Sequence, residues 1–239
     1  AWAMLGVMGP GSRELLTETL NHDMATESFP FGSFQAVELG MARAYAGRVS
    51  YVGELGWELY VPVDQARHGF DFLWQKGENH GLKLAGMHAL NSCRIEKKFI
   101  HYGHDIAEVD TPLECGMGFV CAFDKDIPFI GRDAILKQKE TNGFMYKRLV
   151  QFLLQDPEAM LYHHEPILRD GVIVGHLTSG DYGHTLGGAV GLGYIEVEEE
   201  ITRDYIDSGH FEIDVGGYHV TAKASLSAMY DPKAERMRG

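Results

Sequence analysis

Two places in this 239-residue sequence hold side chains whose type and spacing could do chemistry. The first is Ser50-Tyr51-Val52-Gly53-Glu54-Leu55-Gly56-Trp57-Glu58-Leu59-Tyr60. Its glycines imply a tight turn with close backbone approach, flanked by Tyr51 and Glu58. A carboxylate accepts two parallel hydrogen bonds from a flat ring with adjacent N–H donors, as in a pterin or a guanine, and a tyrosine packs against the same ring. The plain alternative is a solvated glutamate on an exposed strand face. The second place is Arg94, which shares the apolar stripe of a helix expected from about Gly86 to Lys98 with Met87 and Leu90. A cation buried there needs a counter-charge, supplied either by a structural ion pair or by an anionic ligand. Glu96 lies on another face of that helix and is not its obvious partner.

Other chemistry-bearing patterns fall short. Gly9-Pro10-Gly11 follows a strand-like run and opens a helix, but Glu14 stands where a dinucleotide fingerprint needs its third glycine. Gly187-Gly188-Ala189-Val190-Gly191-Leu192-Gly193 lacks the Lys-Ser/Thr of a phosphate loop and fits close strand packing instead. His101, His104 and Asp105, like His163, His164 and Glu165, lack a second ligand pair at zinc spacing, so no metal site is expected. Cys93 without a nucleophile signature reads as a packing residue. No catalytic residue is assigned from the sequence.

Composition narrows the classes further. Lys and Arg number 21 against 34 Asp and Glu, a formal net charge of −13, which argues against the clustered basic surface of a nucleic-acid binder. The chain is 45% hydrophobic and 23% charged, ordinary for a protein with a real core. No apolar run reaches the ~20 residues of a membrane helix, and the first residues form neither a basic n-region nor a cleavage site. Three cysteines without CxxC spacing argue against a disulfide framework and for a reducing compartment. A cytoplasmic location is expected, with the mitochondrial matrix as the alternative.

The elements that must position these residues change character near residue 145. Ala1 to Met8 reads as a strand, with a helix from Ser12 to about Leu20. A strand pair is expected between Phe34 and Tyr51, and another strand in which Trp57, Leu59 and Val61 alternate with Glu58 and Tyr60. Asp64 reads as the N-cap of a helix carrying Ala66, Phe70, Leu73 and Trp74. Thr111-Pro112-Leu113-Glu114 has the form of a capping box, and a helix follows over Arg132 to Lys139. Beyond Gly143 come short strands: Arg148 to Leu154, Ile167 to Val174 around Asp170-Gly171, Gly187 to Ile195, and Phe211 to Ala224 around Gly216-Gly217. Glu196 to Glu200 reads as a solvated loop. The expected class is α+β: a partial α+β domain over 1–125, a connecting helix within 126–146, and a small antiparallel β-barrel over 147–239.

The wording of several segments carries a resemblance. RVSYVGELGWELYVP, GMHALNSCRIEKKFIHYGHDI, TPLECGMGF, FIGRDAILKQ and EPILRDGVIVGHLTSGDYGHTLGGAVGLGYI, in this order, resemble the aminomethyltransferase family, the glycine-cleavage T-protein and its tetrahydrofolate-binding relatives. GELGWELY and the ASLSAMYDP ending are most similar to the C-terminal half of dimethylglycine and sarcosine dehydrogenases. The resemblance implies tetrahydrofolate as cofactor, Tyr51 as the pterin-packing tyrosine and Glu58 as the bidentate pterin carboxylate. It also turns Arg94 toward folate. It assigns nothing to Arg236 or Arg238, and Asp23 does not stand in the motif of the family's catalytic aspartate. The family's earlier segments, that aspartate among them, are not in these residues, nor is the flavin domain that would hold FAD in the dehydrogenases. The chain is thus expected to be a piece of a longer polypeptide whose N-terminal segments dock on an open edge or face. The implied function is capture of a one-carbon unit as methylenetetrahydrofolate. The alternatives are part of a stand-alone aminomethyltransferase, or a non-catalytic folate-binding or regulatory module. Alone, the piece is expected to bind folate weakly or not at all and to transfer no aminomethyl group. No nucleic-acid or membrane partner is expected.

Overall fold

A computed structural model describes all residues, 1–239, as two compact units: Ala1–Leu90 with Lys233–Gly239, and Asn91–Pro232. The first unit is α+β. Strands β1 (Trp2–Met8), β2 (Phe34–Leu39), β3 (Ala42–Gly47) and β4 (Gly56–Pro62) form an antiparallel sheet in the order β1-β4-β3-β2. The alternation around β4 has the expected physical outcome: Trp57, Leu59 and Val61 are fully buried, while Glu58 and Tyr60 face the other way. The buried face packs against Leu15 and Leu16 of α1 (Ser12–Thr19) and Leu73 of α2 (Ala66–Gly77). The other face carries no helix, leaving Trp2, Met4 and Phe34 each more than half exposed.

Helix α2 begins later than the sequence implies. A 3₁₀ turn over Val63–Gln65 takes up Asp64, so Gln65 stands at the N-cap and no side chain caps the helix. Helix α3 (Met87–Glu96) spans the division between the units.

The second unit holds α4 (Arg132–Glu140) and a closed antiparallel barrel in the order β10-β5-β8-β7-β6-β9. Its strands are β5 (Lys147–Leu154), β6 (Pro166–Arg169), β7 (Val172–Gly183), β8 (Gly188–Glu196), β9 (Phe211–Val215) and β10 (Tyr218–Ser225). Gly216 and Gly217 both take positive φ, the backbone a two-residue hairpin needs, so β9 turns directly into β10. The barrel interior is filled by Val150, Phe152, Leu177, Ile195 and Ile213, among others. Two short helices escape the sequence reading, α5 (Arg203–Ser208) and α6 (Glu235–Arg238). Thr111 and Glu114 form the reciprocal hydrogen bonds of a capping box at 2.9 and 3.3 Å, but around a turn rather than a helix. No helix is long and apolar enough to cross a membrane.

Candidate functional site

Glu58 stands on the helix-free face of the first unit's sheet, opposite Gly6 on β1 and Gly47 on β3. With glycine on both sides, no neighbouring side chain in its row covers the carboxylate. It is half-buried, and Oε2 accepts the Tyr60 hydroxyl at 2.6 Å, while no protein donor reaches Oε1. The same bond stabilises the protonated phenol and raises the Tyr60 pKa, with burial adding to the effect. Tyr60 packs edge-on against Phe34 at 5.5 Å, and Phe34 stacks on Tyr45 at 5.4 Å. Tyr45 meets Trp2 edge-on at 5.5 Å. A carboxylate thus borders a row of aromatic rings, the combination that binds a flat heterocycle with N–H donors on one edge.

Tyr51 lies half-buried in the bend between β3 and β4. That bend is held against β1 by a Gly9 N–H to Leu55 carbonyl bond of 2.8 Å and by Gly56, where a Cβ would stand 2.7 Å from the Met8 side chain. The partner the protein gives Glu58 is Tyr60 rather than Tyr51. Position alone could have found Tyr60, since residues two apart on a strand share a face. The aromatic row from Trp2, Phe34 and Tyr45 depends on strand pairing across the sheet and had no local signal.

Arg94 belongs to the second unit and is buried with all five N–H donors engaged. Nε and Nη2 donate to Asn91 Oδ1 at 3.0 and 2.7 Å, Nη2 also to Ser179 Oγ at 2.7 Å, and Nη1 to the Phe99 carbonyl and the Asp105 carboxylate. Asp105, equally buried, also accepts from Thr178 Oγ1 at 2.6 Å and the His101 N–H at 2.9 Å. The resemblance turned Arg94 toward folate; here every donor is spent on protein acceptors. Asp105, whose grouping with His101 and His104 the sequence gave no reason to read as a metal site, is its counter-ion. Glu96, on a different face as expected, accepts the Thr185 and Leu186 N–H groups at 2.7 and 2.8 Å. No group of His, Cys, Asp and Glu side chains is arranged to hold a metal ion. Arg236 pairs with Glu54 at 3.2 Å. Asp23 closes a local turn, accepting from Ser28 Oγ and from the Ala25 N–H at 3.0 Å.

Comparison with known proteins gives this geometry a context. The family model described as the GCVT N-terminal domain matches residues 1–125, and that of the glycine cleavage T-protein C-terminal barrel domain matches residues 147–231. The chain is 44% identical over its whole length to 4-methylaminobutanoate oxidase (formaldehyde-forming) of Paenarthrobacter nicotinovorans, covering 28% of that protein. It is 34% identical over 238 residues, 99% of the chain, to mouse mitochondrial sarcosine dehydrogenase, covering 26% of it. The chain therefore spans about a quarter of the length of these relatives. In fold it is similar to the crystal structure of glycine cleavage system aminomethyltransferase T from Bartonella henselae, with a TM-score of 0.50 and 15% identity over 97% of this chain and 84% of that one.

Proposed function

The chain belongs to the glycine-cleavage T-protein family, and from that premise we propose that it is the tetrahydrofolate-binding part of a longer flavin-dependent enzyme that demethylates an N-methylated amine, such as dimethylglycine or sarcosine. The observation that carries the proposal is Glu58, half-buried beside a row of aromatic rings with Oε1 unclaimed by any protein donor. The residues present fit a reduced pterin: Glu58 would accept its adjacent N–H groups and Tyr51 would lie against its ring. Bound there, tetrahydrofolate would supply the amine that takes up a one-carbon unit. FAD would belong to the part of the longer enzyme outside this chain, and no residue here is assigned to it.

For Arg94 we propose a positioning role. Its links to Asn91, Asp105 and Ser179 tie α3 to β7, fixing the helix rather than touching the ligand. The uncovered sheet face, with Trp2 and Phe34 exposed, would form one wall of the folate cleft, the facing wall coming from other segments of the longer polypeptide. A second reading rests on the relative of 44% identity, whose name makes formaldehyde the product. In that case the one-carbon unit leaves free and folate only intercepts it.

The two readings separate in one experiment on the full-length enzyme, oxidising its N-methylated amine with tetrahydrofolate present, with and without an excess of a nucleophile that scavenges free formaldehyde. The proposal expects methylenetetrahydrofolate to form at an undiminished rate despite the scavenger, because the one-carbon unit passes to bound folate without leaving the protein. Loss of methylenetetrahydrofolate to the scavenger, with the aldehyde recovered on it, would overturn the proposal and support the second reading.

A further inference from the structure

Arg48 is wholly buried in the first unit, and no carboxylate hydrogen-bonds it. Nη1 donates to the Phe29 carbonyl at 2.8 Å and Nη2 to the Arg238 carbonyl, while Nε is buried with no partner. Nε and Nη2 form the side of a guanidinium that grips a carboxylate or phosphate with two parallel bonds. In this structure that fork is half filled, and by a peptide carbonyl. A second cation adjoins it. Arg13 and Arg48 both lie over the Trp57 ring, at 5.6 and 5.5 Å from its centroid. Arg13 donates to the Met24 carbonyl at 2.6 Å and to Thr26 Oγ1 at 3.0 Å, again with no carboxylate.

Carbonyl dipoles satisfy hydrogen bonds without cancelling charge, so the two guanidinium groups share one aromatic ring with no carboxylate hydrogen-bonded to either. Burial, then the Arg13 charge, lowers the Arg48 pKa, and the exposed Glu27, the smallest of the three influences, opposes this. Gly239 closes the space: a Cβ there would stand 2.8 Å from Arg13 Nη2 and 3.0 Å from Arg48 Nη2, and its carbonyl accepts from Thr26 Oγ1 at 3.3 Å.

We propose that Arg13 and Arg48 over Trp57 form a binding site for an oxyanion, a carboxylate or phosphate group, and that the segment Lys233–Gly239 is a strap which occupies it and is displaced when the anion binds. The oxyanion takes the Nε/Nη2 fork in place of the Arg238 carbonyl and neutralises a charge the strap leaves standing. This site stands apart from the folate assignment, since neither Glu58 nor Tyr51 contributes to it.

Limited trypsin digestion of the full-length enzyme, with the peptide ending at Arg236 followed by mass spectrometry, reads the strap directly, because Arg236 is a cleavage point within it. Digestion in chloride is compared with digestion in inorganic phosphate and in acetate at matched ionic strength, each corrected by cleavage of a free peptide of the same sequence. The expected result is a saturable rise of threefold or more in cleavage after Arg236, in phosphate, acetate or both, which also identifies the preferred group. Arg13→Gln, at a half-buried position that leaves Arg48 in place, should shift the half-saturating anion concentration upward about tenfold. Equal cleavage rates in all three salts, or a rise that Arg13→Gln leaves unchanged, would overturn the proposal.

Discussion

The barrel leaves no strand edge free, since β9 returns to both β6 and β10, whereas the sheet β1-β4-β3-β2 stays open at two edge strands, β2 met only at its end by the Leu20–Leu39 bridge, and leaves one face without a covering helix. The contrast extends to the polar residues each region carries. Around the barrel they act as fasteners: Gln151 on β5 donates to the Ile95 and Glu96 carbonyls at 2.6 and 3.0 Å and accepts the Met229 N–H at 2.7 Å. Those two carbonyls belong to the last turn of α3, where orphan acceptors need donors. On the sheet, Glu58 and its aromatic neighbours stay open to solvent on one side. A closed architecture spends its polar groups internally, and an open face keeps one available for a ligand.

The sharpest way to break the contrast is to add a single methyl group to the barrel. A Cβ at Gly175 would collide with the Tyr194 carbonyl across the β7–β8 pair, and backbone cannot move aside as a side chain can. Gly175→Ala should cost about 3 kcal/mol or more in denaturant unfolding. Phe34→Ser, a far larger change on the open face, should cost under about 1 kcal/mol. Similar losses for the two variants would erase the distinction.

Comparable in size is the effect of the ion pair. Arg94→Met strands the buried Asp105 carboxylate and should destabilise by about 3 to 5 kcal/mol. Arg94→Met combined with Asp105→Leu should recover much of that loss, so a double-mutant cycle measures the coupling. If Arg94 served a ligand alone, the single variant would melt like the wild type.

A smaller effect comes from pH. Burial, reinforced by the nearby Arg148 charge, lowers the Lys98 pKa to about 8. The ammonium group is thus disfavoured in the fold relative to the unfolded chain, which holds its proton up to about pH 10. Stability should therefore rise from about pH 8 toward pH 10, where Tyr194, its pKa raised mainly by burial, begins to oppose the trend. Lys98→Met should flatten the rise in a pH series of thermal melts.

Much of this was legible in the chain, for local reasons. The alternation of Trp57, Leu59 and Val61 marked β4 and its buried face, and Asp170-Gly171 and Gly216-Gly217 marked two hairpins. What escaped depended on distant partners or weak patterns. β7 runs on to Gly183 through His176, Thr178 and Asp181, with no apolar alternation to announce it and a register shift between Leu177 and Ser179. α5 is short, yet Thr202 caps it by accepting the Tyr205 N–H at 3.1 Å, a signal the sequence did offer. For Arg94, Asn91 was readable as its neighbour one turn back, while Ser179 and Asp105 come from outside the helix. The strap Lys233–Gly239 follows the barrel in sequence but belongs to the first unit, which no local pattern encodes.

The central claim is that Glu58 on the open face recognises a reduced pterin, and titration of tetrahydrofolate into the full-length enzyme and its Glu58→Gln variant tests it most directly. Losing a charge-assisted pair of hydrogen bonds should weaken binding by about 1.5 to 3 kcal/mol, roughly ten- to a hundredfold in Kd, with an unchanged melting temperature. Equal affinities for the two proteins would contradict the account.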